Sequence, residues 1–215
     1  MAGADEEQRR QWAITCAHGL GLGGIALTVN QELVWFSDQT SARLEDLQFL
    51  LGQGPALHGE DPAGALQIPD ISQLLVQQWP QFAAEAEALG VVALFVWPVS
   101  IGAAQVGTLT GYRRTIGSLT SQQFTEGWLV ADHLAEEVLA RWPGASGPSN
   151  GAGTVGAVEL HRAELHQATG VLSHRQGVPL PEALDRLRAR AYASGQSLAQ
   201  TARDVIAQEL PQDFP

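Results

Sequence analysis

The chain has 215 residues, 45% of them apolar, a formal net charge of −11 and one cysteine. This leaves room for one large core or two small ones, and excludes disorder throughout, a disulfide framework and a zinc-finger ligand set. So acidic a molecule repels a phosphate backbone as a whole, so any nucleic-acid role is confined to a local surface.

The charge is uneven. Residues 1–154 carry 6 Arg against 16 Asp and Glu, a balance of −10, whereas 155–215 carry 6 Arg against 7 acids, a balance of −1, with three of the six His. All 12 basic residues are Arg, a planar cation that grips carboxylate or phosphate through two hydrogen bonds. The N-terminus is acidic and lacks the apolar stretch of a signal peptide, and the longest apolar run, 91–97, is too short to span a bilayer. These features predict a cytoplasmic protein with no membrane partner. Cys16 reads as a small buried residue near a first helix.

Gly19-Leu20-Gly21-Leu22-Gly23-Gly24 has G-x-G-x-x-G spacing, but a dinucleotide turn follows a strand and opens a helix. Here a helical segment precedes and a strand follows, so the glycines predict a connection. Strands over 24–29 and 33–37, joined by Asn30-Gln31-Glu32, suggest a hairpin. A helix over 41–51, a short strand over 66–68 and a helix over 81–89 come next. A second strand pair, 91–97 and 105–112, is joined by a turn-rich piece over 98–104.

Thr120 and Gln123 have capping-box spacing, and Phe124, Trp128, Ala131, Ala135, Val138 and Trp142 then form a 4-3-4-3-4 seam. That seam fits either the domain's own sheet or a second copy of the chain, so helix 120–142 is the candidate homodimer contact. Strands flanked by helices predict an α+β domain with an antiparallel sheet over 5–142.

Residues 143–154 lack large apolar side chains and are rich in Gly, Pro and Ser, the composition of a flexible linker. Ser149 lies in a formal G-x-S-x-G, but a nucleophile elbow needs a strand before it and a helix after it. Beyond the linker, Leu165, Ala168 and Leu172 share one face of a helix over 155–176, which Gly177 stops. Pro181 fits the first turn of a second helix with Leu180, Leu184, Leu187 and Ala191 as its buried stripe and Gly195 as its stop. Ser197 and Gln200 cap a third, which buries Leu198, Ala202, Val205 and Ile206 and ends at Pro211.

Nothing in the sequence assembles a catalytic constellation, a metal site or a cofactor site. His161 and His166 are five apart and do not converge on a helix face. Asp38, Asp46, Asp61 and Asp70 have no Lys to serve a phosphoacceptor and read as surface or helix N-terminal charges.

His166-Gln167-Ala168-Thr169-Gly170-Val171-Leu172, with Glu182-Ala183, Leu187, Ala191, Leu198 and Ala202-Arg203-Asp204-Val205, resembles the ANTAR family of RNA-binding antitermination modules. The resemblance covers 155–210. Two positions depart from it: Thr169 stands where the family often has Lys, and Arg190 where an aromatic is common. Leu47-Gln48-Phe49-Leu50-Leu51-Gly52-Gln53-Gly54-Pro55, Ile68-Pro69-Asp70, Trp79-Pro80-Gln81-Phe82 and Gly107-Thr108-Leu109 resemble the GAF sensory domain.

Together the resemblances imply a non-enzymatic, signal-responsive regulator: a GAF-like sensor, then an all-α three-helix ANTAR-like domain that binds tandem stem-loops in nascent RNA. Arg guanidinium groups pair with phosphates and stack on loop bases. The implied RNA contacts are Arg162, His166, Arg175, Arg186, Arg188, Arg190 and Arg203, although Glu182 with Arg186 and Asp185 with Arg188 also suit intrahelical ion pairs. Trp35, Phe95, Trp97 and Tyr112 are candidate lining for a sensor pocket. The alternative is a dimeric protein-interaction regulator whose helical tail no longer binds RNA.

Overall fold

The computed structural model describes residues 2–57, 64–141, 163–194, 196 and 198–208, and the chain divides into two compact units, Met1–Glu159 and Leu160–Pro215. In the first unit the order is α1 (Ala2–Gly19), β1 (Gly24–Val29), β2 (Glu32–Phe36), α2 (Gln39–Leu51), β3 (Leu66–Ile68), α3 (Ile71–Gln78), α4 (Pro80–Ala88), β4 (Ala93–Ile101), β5 (Ala104–Arg113) and α5 (Ser121–Arg141). The strands form one sheet in the order β2-β1-β5-β4-β3, every neighbouring pair antiparallel. This is the α+β architecture with an antiparallel sheet that the alternation of strands and helices predicts.

The two-residue period of the strands sorts side chains onto two faces. Ile25, Leu27, Phe95, Trp97 and Leu109 meet Ala13 and Ala17 of α1 and Ala131, Leu134 and Ala135 of α5. On the other face Ile68, Leu94 and Tyr112 meet Leu44 of α2, Ile71 of α3 and Phe82, Ala83 and Ala86 of α4. The seam of α5 is therefore spent on its own sheet: Phe124, Trp128 and Val138 pack against the first core, and Trp97 Nε1–H donates to the Phe124 carbonyl at 3.1 Å. Trp142, its last expected member, lies outside the described residues.

Helix starts are secured by side chains. Asp38 accepts from the Ser41 amide at 3.0 Å while the Ser41 hydroxyl accepts from the Asp38 amide, a reciprocal cap on α2. Thr120 and Gln123 do the same for α5, with 3.2 and 3.1 Å bonds.

Three features differ from the sequence expectation. The 98–104 connection shrinks to Gly102–Ala103, because β4 runs on to Ile101 and Pro98 pairs with Thr108. Since β3 reaches only Leu94–Val96, β4 is an edge strand at Pro98, where proline is tolerated. Helix α3 was not expected, and the first hairpin turns on Asn30 and Gln31 alone, both with positive φ (49° and 66°), leaving Glu32 in β2.

The second unit holds α6 (Ala163–Gln176), α7 (Leu180–Ser194) and α8 (Leu198–Ala207). Leu165, Ala168 and Leu172 of α6, Ala183, Leu187 and Ala191 of α7, and Leu198, Ala202 and Val205 of α8 are all buried. Gly177 takes φ of 64° and stops α6, a left-handed position that suits glycine. The buried stripe of α7 runs through Ala183 rather than Leu180, which at the helix start is 57% exposed. Leu184 and Ile206 are half-buried at the margin of the bundle. The expected helical segment before Ala163 and the expected stops and cap at Gly195, Ser197 and Pro211 lie outside the described residues.

Candidate nucleic-acid interface and sensor face

The small residues of the tail bring three helices close together and turn their longer polar side chains outward. Of the expected RNA contacts, Arg162 lies outside the described residues, and His166, Arg175, Arg186, Arg190 and Arg203 are exposed. Arg186 donates to Glu182 Oε1 at 2.6 Å and to Gln176 Oε1, which joins the start of α7 to the end of α6, beside Arg175. Arg203 Nε lies 3.2 Å from Glu164 Oε2, joining α8 to the first turn of α6, two residues before His166. The cations thus gather in two places, Arg175 with Arg186 and Arg203 near His166, not in one cluster.

Arg188 is different. It pairs with Asp185 at 2.9 Å and its side chain is only 18% exposed. Arg190 is exposed and makes no ion pair or side-chain hydrogen bond among the described residues. The pairs at Glu182–Arg186 and Glu164–Arg203 are about half-exposed, so each contributes about 0–1 kcal/mol and yields readily to a phosphate.

Thr169 is buried, and its hydroxyl donates to the Leu165 carbonyl at 2.7 Å, one turn back in α6. This position points into the bundle. The polar contacts that sequence reasoning missed are Gln176 and the Gln196–Asp204–Gln200 set, in which both amides donate to the Asp204 carboxylate at 3.2 and 3.0 Å. Their only sequence signal is polar spacing on helices, which solvent-facing residues share.

In the sensor half the four aromatics do not surround one space. Trp35, Phe95 and Trp97 are buried in the first core, with the Phe95 and Trp97 rings 6.5 Å apart, and Trp35 Nε1–H donates to the Arg9 carbonyl at 2.9 Å. Tyr112 is on the opposite face, where its hydroxyl meets Asp38 Oδ1 at 3.3 Å. Burial and the neighbouring Asp38 carboxylate push the Tyr112 phenol above its ordinary range.

Tyr112 shares its face with a polar layer. Thr28 of β1 and Thr108 and Thr110 of β5 are buried, as are Glu45 and Gln48 of α2. Gln48 donates to Glu45 at 2.8 Å and accepts from the Ala56 amide at 2.9 Å, while Thr28 Oγ1 reaches the Thr108 carbonyl at 3.4 Å. In sequence these threonines look like ordinary strand formers. Their period of two at 108 and 110 was the only hint.

Cys16 packs on the first core, and burial pushes its thiol up, away from a reactive thiolate. Among the described residues no group of three or more His, Cys, Asp or Glu is arranged to hold a metal, and no helix is long and apolar enough to cross a membrane.

Residues 159–206 match the ANTAR domain, a family of RNA-binding antitermination modules. The match is confined to the tail. No curated protein matches the chain. Among solved structures, the chain is similar to the photoproduct state of a GAF domain from Synechocystis sp. PCC6803, with 18% identity, 63% of this chain and 96% of that one covered, and a TM-score of 0.47. It is also similar to a red/green cyanobacteriochrome in its red light-absorbing state, with 16% identity, coverages of 62% and 92%, and a TM-score of 0.46.

Proposed function

We infer that this protein is a signal-responsive transcription antitermination regulator, not an enzyme, acting in the cytoplasm. The tail binds stem-loop RNA and so prevents a terminator from forming, and the sheet domain senses the signal. The observation that carries this reading is the coincidence of the ANTAR match, 159–206, with a three-helix bundle whose Arg175, Arg186, Arg190 and Arg203 all stand on the outside.

Arg190 and Arg175 are the first contacts, with His166 a contact at the other place, near Arg203, and Arg162 a further candidate just ahead of α6 in the sequence. Arg186 and Arg203 exchange Glu182 and Glu164 for phosphate as RNA arrives. Arg188, mostly covered, contributes least. The near-neutral tail makes binding depend on salt, because each phosphate contact releases counterions.

Tandem stem-loops call for two tails. A homodimer supplies them, and makes the second contact intramolecular. The outer face of α5 offers Leu129 and Leu139, 64% and 42% exposed, for that contact, since the inner seam is occupied. Electrophoretic retention of tandem-hairpin RNA by the full chain, at low and at raised salt, tests the reading.

A further inference from the structure

One glycine in the tail has no packing reason to be there. Gly170 stands in the middle of α6 without a positive φ, and a Cβ built on it would meet no atom beyond its own helix within 4 Å among the described residues. Glycine in a helix interior is destabilising relative to alanine. Gly177, whose φ of 64° ends the same helix, has a backbone reason that Gly170 lacks. Nothing inside the tail offsets what Gly170 costs.

The face around it is suited to an anion. At about 100° per residue, Leu165, Ala168 and Leu172 turn toward the bundle, while His166, Gly170 and His174, spaced by four, turn away from it. Both histidines are exposed, and they stand roughly 12 Å apart along the helix axis with Gly170 between them. Arg175 follows His174 directly, and the only carboxylate of α6, Glu164, is held by Arg203 at 3.2 Å. Bare backbone with a hydrogen-bonding side chain on either side fits a phosphate chain laid across the helix.

We propose that Gly170 is the point of closest approach of the RNA backbone to the tail: the missing Cβ lets phosphate or sugar lie against α6, and His166 and His174 hydrogen-bond the phosphates on either side. His174 is thus a contact additional to the arginines. This deepens the RNA-binding reading above and rests on it. A second copy of the chain is a poorer occupant, because a two-fold contact through this face would set the same histidines and Arg175 against each other.

The test uses the full chain and its Gly170→Ala, Gly170→Gln and His174→Ala variants, with retention of labelled tandem-hairpin RNA, thermal melting, and sedimentation without RNA. Both Gly170 variants are expected to melt at or above the parent, since the new side chain meets open space and favours the helix. Their RNA affinity nonetheless falls, by about tenfold for Gly170→Gln and by less for Gly170→Ala. His174→Ala weakens binding by about two- to fivefold. Parent-like affinity in Gly170→Gln or in His174→Ala overturns the proposal and leaves the RNA reading standing, whereas a parent that retains no RNA overturns both. A Gly170→Gln variant that melts below the parent gives the glycine an internal role and overturns the proposal. So does a loss of affinity that comes with a changed oligomeric state, which assigns the face to a second copy.

Discussion

Arg203 of α8 holds Glu164 of α6 at 3.2 Å, so a candidate RNA contact is also a clasp between the first and last helices of the tail. The pair is about half-exposed at both ends, and such pairs contribute about 0–1 kcal/mol. Glu164→Gln frees the guanidinium at little cost to the fold. The expected outcome is RNA affinity raised by about two- to fivefold with an unchanged melting temperature, measured by titration of labelled tandem hairpins.

Arg190 has no competing carboxylate among the described residues. Arg190→Ala therefore weakens RNA binding by about tenfold and lowers the slope of log affinity against log salt by about one contact. Arg188→Ala, at the mostly covered position paired with Asp185, weakens binding less than Arg190→Ala does. Circular dichroism shows whether both variants stay helical.

Gly127 sits where α5 crosses Trp97, and a Cβ there would collide with the indole ring of that buried side chain. Ala is the better helix former by about 1 kcal/mol, but overpacking costs about 1–3 kcal/mol. Trp97 is fully buried and its Nε1–H is tied to Phe124, so it cannot step aside. Gly127→Ala is expected to lower the stability of the sheet domain in urea unfolding, against the helix-propensity trend.

The chain has no Lys, so few groups titrate on the alkaline side. Cys16 and Tyr112 are both raised above their ordinary values of 9.0 and 10.0 by burial, and Asp38 adds to the shift at Tyr112. A group raised in the folded state contributes stability that is present below its unfolded pKa and lost as pH rises through the folded one. Stability is therefore expected to decline from about pH 9 upward. Tyr112→Phe flattens the part of the decline above 10.0 while losing about 1 kcal/mol at neutral pH from the Asp38 hydrogen bond. Urea midpoints across the alkaline range check both statements.

Much of the fold was legible because it follows local periodicity. The β1–β2 pair, strand β5, the Thr120–Gln123 cap and the Leu165, Leu187 and Val205 core positions all fall within one or two residues of where spacing puts them, whereas β4 runs four residues past its expected end. Helix α3 was hidden because its eight residues directly follow β3, with too little length for a 3.6-residue period to stand out. The strand through Pro98 was hidden because only the short reach of β3 makes proline acceptable there. The polar layer was hidden more deeply: whether a strand threonine faces a core or a site depends on what α2 brings over it, and no spacing within β5 encodes that.

RNA retention by the full-length chain bears most directly on the regulatory reading. A folded sample, confirmed by circular dichroism, is titrated against tandem-hairpin RNA at low and raised salt beside Arg190→Ala and Arg175→Ala variants. The expected result is retention that falls with salt and is weakened by both substitutions. A folded protein that retains no hairpin RNA even at low salt, or one whose retention is indifferent to both substitutions, contradicts it.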